Sequence, residues 1–155
     1  MVSWSMAATL DGTFILDAKN SADISKAIET TIADMNFVKR PIARSRLTKT
    51  NEAPMQVEVH QNAGKVGITV GKVKHPNLTL GASAIAWTTP TGEAVQLSVK
   101  PNASGLEEYF QGEDGSKKNS FTLSADGQIL SLNVLVTSPQ LPKPLTYRLV
   151  FLRKN

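Results

Sequence analysis

Few residues in this chain have the types and spacing that chemistry needs. It has two histidines, His60 and His75, and no cysteine, which excludes thiolate catalysis, disulfides and Cys-ligated zinc. A metal site built on two histidines needs a third, convergent ligand. His60 has outward parity in its strand and His75 precedes Pro76 in a loop, so both read as surface residues. Glu107-Glu108 and Glu113-Asp114 set carboxylates side by side, as acid–base pairs require, but each pair neighbours a turn and solubility accounts for them. No Gly-x-Ser-x-Gly elbow, His-Glu-x-x-His helix or phosphate-binding glycine loop occurs. The residues therefore call for no catalytic group, no metal and no cofactor, and leave catalysis an open question.

The densest cationic run is Lys39 to Lys49, with Arg40, Arg44 and Arg46. Guanidinium groups so placed suit a carboxylate or phosphate head group through paired hydrogen bonds. They equally suit nearby Asp and Glu, and would then fasten one element to another. The remaining Lys and Arg are scattered, and a net charge of +4 favours acidic partners only mildly. Nucleic-acid binding wants aromatic platforms among the cations, and aromatics make up 6% of the chain, so no nucleic acid is expected.

These residues are carried by a series of short alternating strands. The first expected strand is Thr13 to Leu16, after Asp11-Gly12. A helix over about 21–37 follows, with Asn20 or Ser21 as N-cap. Ile24, Ile28, Thr31, Ile32 and Met35 form its one apolar stripe. Pro41 either interrupts this helix or starts a short second one. From about 55 to 152 the period changes to two. Val57 and Val59 run up to a turn at Asn62-Ala63-Gly64, and Val66, Ile68 and Val70 return. Val95, Leu97 and Val99, Leu106 to Gln111, Ser120 to Leu123, Ile129 to Val136 and Leu145 to Leu152 continue the pattern, with Gly- and Pro-containing turns between. The expectation is one mainly β domain over residues 1–155: an antiparallel meander of about eight to ten strands, with one N-terminal lid helix. In such a barrel the inward aromatics among Trp87, Tyr109, Phe110, Phe121, Tyr147 and Phe151 either line a cavity or fill the core. No apolar run reaches the ~20 residues of a membrane span. Met1 to Met6 lacks the charged flank and apolar stretch of a signal peptide, which read literally means a cytoplasmic protein; a start Met replacing a removed signal would read the same way.

The order strand, lid helix, meander resembles that of the calycins, the lipocalins and fatty-acid-binding proteins. Gly12-Thr13-Phe14 is similar to the Gly-x-Trp opening of that superfamily, with Phe14 for the Trp. The resemblance implies an arginine from the last strands beneath that ring, Arg148 or Arg153. The Thr-Asp-x-Tyr motif of lipocalins is absent. Arg40 to Arg44 and Ser138 to Leu145 also resemble segments of uncharacterised bacterial exported proteins, which would imply a periplasmic or secreted location.

The function this implies is non-catalytic binding of a small hydrophobic or amphipathic anion. The apolar part would lie among inward side chains such as Trp87, Phe110 and Tyr147, with the anionic end near Arg44, Arg46 or Arg148. The alternative is a filled barrel or sandwich that acts through its outer surface as an envelope-associated interaction module. An apolar interior space of roughly 300 Å³ or more would favour the first. Oligomeric state and ligand identity are not readable from the residues.

Overall fold

The alternation that starts at Gln56 continues through the structure as one antiparallel sheet. In the computed structural model residues 10–155 are described; the Met1 to Met6 segment lies outside the described residues. The strands are β1 (Gly12–Leu16), β2 (Gln56–Asn62), β3 (Lys65–Val70), β4 (Val73–Lys74), β5 (Leu78–Thr79), β6 (Ile85–Thr88), β7 (Ala94–Asn102), β8 (Gly105–Gly112), β9 (Ser116–Leu123), β10 (Ile129–Thr137) and β11 (Leu145–Arg153). Two helices, α1 (Ile24–Ile32) and α2 (Arg40–Thr50), stand between β1 and β2. The sheet order is β4-β3-β2-β1-β11-β10-β9-β8-β7-β6, with β5 also pairing β3. Eleven strands exceed the eight to ten expected because β4 and β5 are two-residue bridges, too short to show a period.

The sheet curls into a half-barrel whose ends are tied where the Gly81 N–H donates to the Val99 carbonyl at 2.8 Å. Register fixes one inner face. Phe14 pairs Val57, Val99 pairs Glu108, Glu108 pairs Asn119, Asn119 pairs Val134 and Val134 pairs Tyr147. Side chains two residues apart share that face. It holds the core, including Phe14, Leu97, Leu106, Phe121, Leu130 and Phe151, all at 0% exposure. The two-residue turn of the β2–β3 hairpin needs positive φ at both positions; Ala63 sits at 53° and Gly64 at 81°.

The helical segment departs from the expected single helix over 21–37. Asp23 is the N-cap of α1, accepting from the Lys26 N–H at 3.3 Å. Ser21 is spent elsewhere: its hydroxyl accepts from the Val150 N–H at 2.8 Å and ties the connection to β11. Ile28 and Ile32 of the apolar stripe are buried, each contributing about 1.5–3 kcal/mol. α2 is a separate helix with Pro41 in its first turn, where the missing N–H costs nothing. Only Leu47 of α2 is buried, so polar contacts must hold the rest of it.

The stacking implied by the Gly-x-Phe opening falls to Arg153, not Arg148. Phe14 and Arg153 are register partners, and the guanidinium carbon lies 4.6 Å from the ring centre. Arg153 also donates to the Gly127 and Asp11 carbonyls at 2.7 and 2.8 Å. Gly12 makes room for it: a Cβ there would strike the guanidinium.

Candidate functional site at the helix-covered end

The two ends of the inner face differ. At the end away from the helices, Phe121 and Phe151 are wholly buried, so no water-sized space touches them. At the end the helices cover, Trp87 and Val136 are only partly buried against the core. The polar side chains of inward parity on β8, β9 and β11, Glu108, Lys117, Asn119 and Tyr147, lie between this end and the middle of the sheet.

Lys117 is the one strand lysine of inward parity among the described residues. It pairs Phe110 across β8 and Val136 across β10. Its Nζ donates to the Thr50 carbonyl at 2.9 Å, one of the carbonyls at the negative end of α2 that the helix leaves unpaired. Burial lowers its pKa to about 8, while the Glu108 and Glu93 carboxylates pull it back upward. Beside it, the Tyr147 hydroxyl donates to Asn51 Oδ1 at 2.9 Å, and Asn51 Nδ2 donates to the Leu47 carbonyl at 3.0 Å. Burial pushes the Tyr147 phenol well above its usual pKa, so it remains a neutral donor. Thr50 and Asn51 are adjacent, so the C-terminal end of α2 draws the lysine and the tyrosine toward one place.

Deeper in, His75 Nδ1 lies 2.7 Å from Glu108 Oε2, and both residues are buried. A ring nitrogen facing a carboxylate at that distance carries the hydrogen. Asn119 Nδ2 donates to the other carboxylate oxygen at 3.3 Å. His75 also meets Trp87 and Phe110 edge-on, with centroids 5.3 and 5.5 Å apart. The reading of His75 and Glu108 as surface residues is corrected here. Glu108 shares parity with Leu106 and Phe110, a signal present in the sequence, and is 1% exposed. His75 comes from the loop after β4, whose fold back over the inner face no periodicity announces. His60 is exposed, as expected.

Of the residues singled out from sequence, Trp87, Phe110 and Tyr147 share the inner face, and the first two flank His75. The three arginines are elsewhere. Arg44 makes a two-pronged pair with Glu29 at 2.6 and 2.9 Å, joining α2 to α1 and holding the Glu29 carboxyl below its usual pKa. Arg46 is exposed. Arg148 is also exposed and donates to Ser131 Oγ at 2.8 Å. It borders an open groove of about 490 Å³ on the outer face of β9–β11, with Lys118, Ser120, Asn133 and Thr146. A second groove, about 370 Å³, opens between α1 and the end of α2, walled by Ile24, Ile28, Thr48 and Asn51, with the exposed acids Asp23 and Glu52 on it. No clusters of His, Asp or Glu able to hold a metal occur among the described residues.

No protein-family model and no curated protein matches the sequence. Solved structures do match over nearly the whole chain. A Schistosoma mansoni fatty acid binding protein in complex with arachidonic acid is similar with a TM-score of 0.60 at 14% identity, covering 97% of this chain and 99% of its own. Caenorhabditis elegans lipid binding protein 8 is similar with a TM-score of 0.60 at 10% identity, over 95% and 96%. The REP1-NXSQ fatty acid transporter gives 0.58 at 14%, over 96% and 98%. The fold is therefore that of the fatty-acid-binding proteins, a calycin-like β-barrel, as the order of elements implied.

Proposed function

We propose that this protein binds a small amphipathic anion, of the class of long-chain carboxylates, at the helix-covered end of its barrel. The carrying observation is Lys117: a partly buried ammonium of inward parity on a mostly apolar face, hydrogen-bonded to a helix-end carbonyl that a ligand anion can replace. The Tyr147 hydroxyl, on the neighbouring lid residue, is a second donor for the same anion. Trp87, Phe110 and Val136 supply the apolar surface. The groove between α1 and α2 reaches Asn51, the partner of Tyr147. Lys117 takes the part that the sequence offered to Arg44, Arg46 and Arg148. The fatty-acid and lipid-binding neighbours support the same class of ligand.

The second reading, a packed barrel that works through its outer face, draws on the wholly buried phenylalanines of the far end and on the Lys118–Arg148 groove. Displacement of a fluorescent fatty-acid analogue separates the two. Octadecanoate should displace the probe better than octadecanol from the wild type, and Lys117→Met should abolish that difference. A folded wild type that takes up no apolar probe would rule out the carrier reading.

A further inference from the structure

The two edges of the sheet are finished differently. β4, with two residues, one of them Lys74, and Lys72 just before it, ends the sheet on one side. Short strands and lysines guard an edge against the addition of a further strand. β6, with four residues and no charge, ends it on the other. The Thr89 N–H donates to the Glu93 carbonyl at 2.8 Å, so alternation along β6 turns the peptide groups of Trp87 and Ile85 toward β7. Those of Ala86 and Thr88 point the other way, where no described strand pairs them. The Gly81–Val99 bond that ties the ends of the sheet lies before β6 begins. Residues 77–92 contain no Asp, Glu, Lys or Arg. Residues 82–86 and Thr88 are exposed, Ile85 at 41%. The side chains leading into this edge, Ala82, Ser83, Ala84 and Ala86, are small, so another backbone can come close.

We propose that the outer edge of β6 is a strand-addition site whose partner is a second copy of this chain, paired antiparallel through its own β6 about a two-fold axis. A two-fold pairing sets the same edge on both sides, and this edge suits its own copy. Ala86 faces Ala86 across the axis, Ala84 of each copy faces Thr88 of the other, and each facing pair exchanges both backbone hydrogen bonds. On the inner side Ile85 of each copy lies beside Trp87 of the other, an apolar cross-strand pair that covers surface now exposed. Each copy carries a net charge of +4, but none of it lies on this segment, so nothing repels at the seam. A charged foreign segment would find no counter-charge here, whereas the chain's own edge asks for none. So short a seam makes a weak, concentration-dependent dimer. The inference stands apart from the carrier reading.

Sedimentation equilibrium of the wild type from about 10 μM to about 1 mM should show monomer passing to dimer. Ala86→Pro removes an N–H that β7 does not use, so the monomer keeps its β6–β7 pairing, while the dissociation constant should rise by about tenfold or more. Should proline unsettle the strand, Ala86→Lys keeps the backbone and sets two cations opposite each other at the axis, with the same loss expected. Amide hydrogen exchange of the wild type supplies the second readout. Ala86 and Thr88 should gain protection as concentration rises, while Ile85 and Trp87, bonded to β7, stay protected throughout. A protein that is monomeric at every concentration overturns the inference. So does protection of Ala86 that is already complete in the monomer, which would mean that the chain covers its own edge. A dimer that both variants leave intact also overturns it, because the interface then lies elsewhere.

Discussion

Lys117 makes the pH dependence of binding a direct probe of the site. Burial lowers its pKa to about 8, so the free protein carries the ammonium on about nine-tenths of molecules at pH 7 and on about one-tenth at pH 9. A ligand carboxylate is ionised throughout that range. If the ammonium holds it, the association constant falls about tenfold from pH 7 to pH 9. The bound anion raises the lysine pKa, so binding at pH 8 takes up about half a proton. Calorimetry in buffers of differing ionisation enthalpy measures that uptake, and Lys117→Met should reduce it to zero and flatten the affinity profile. The ligand-free protein provides an independent readout. The folded pKa lies below the unfolded value of 10.5, so between about 8 and 10.5 the unfolded chain binds more protons and stability rises with pH. Lys117→Met should remove that rise. A wild type that binds with the same affinity at pH 7 and pH 9 refutes the role given to Lys117.

Other outcomes follow from contacts already described. His75→Phe leaves the Glu108 carboxylate buried with Asn119 alone and should cost about 3–5 kcal/mol in urea unfolding; adding Glu108→Leu should recover most of it, and strictly additive losses would deny the coupling. The Arg44→Ala, Arg46→Ala double change should leave the preference for carboxylate over alcohol intact, because Arg44 is occupied by Glu29 and both lie outside the inner face; a lost preference would return the anion site to the helices. Ala63→Gly should raise stability by about 1 kcal/mol by relieving an L-residue at positive φ, seen as a higher Tm; a lower Tm would show that the alanine methyl has a packing role.

The barrel was legible where apolar residues alternate. Val57/Val59, Val66/Ile68/Val70 and Val95/Leu97/Val99 all face inward as their parity requires. The site was legible only in its apolar part, Trp87, Phe110 and Tyr147. Lys117 and Asn119 begin β9 as polar residues of inward parity, and next to Glu113-Asp114-Gly115 they read as the end of a turn. Carrying the alternation back from Phe121 would have turned both inward. α2 lacks an apolar stripe because it is held by Arg44–Glu29, Lys117–Thr50 and Tyr147–Asn51. Hydrogen bonds between distant positions leave no period to find. Met55 shows the converse: it fits the alternation of β2 yet is 71% exposed, since it precedes the strand.

The place of β1 between β2 and β11 sets the order in which the barrel can be made. The β7–β8 and β9–β10 pairings close over short turns and need only their own neighbourhood. Phe14, by contrast, must meet Arg153 across almost the whole chain, a search whose entropy cost is met before any contact rewards it. While the polypeptide is being synthesised, β1 and β10 each lack the strand that belongs between them until Leu145–Arg153 has emerged. Through that interval Phe14, Leu130 and Leu132 stay unburied beside open strand edges, the kind of surface that draws chaperones or other nascent chains. The β1–β11 seam thus joins the two strands farthest apart along the chain in this sheet.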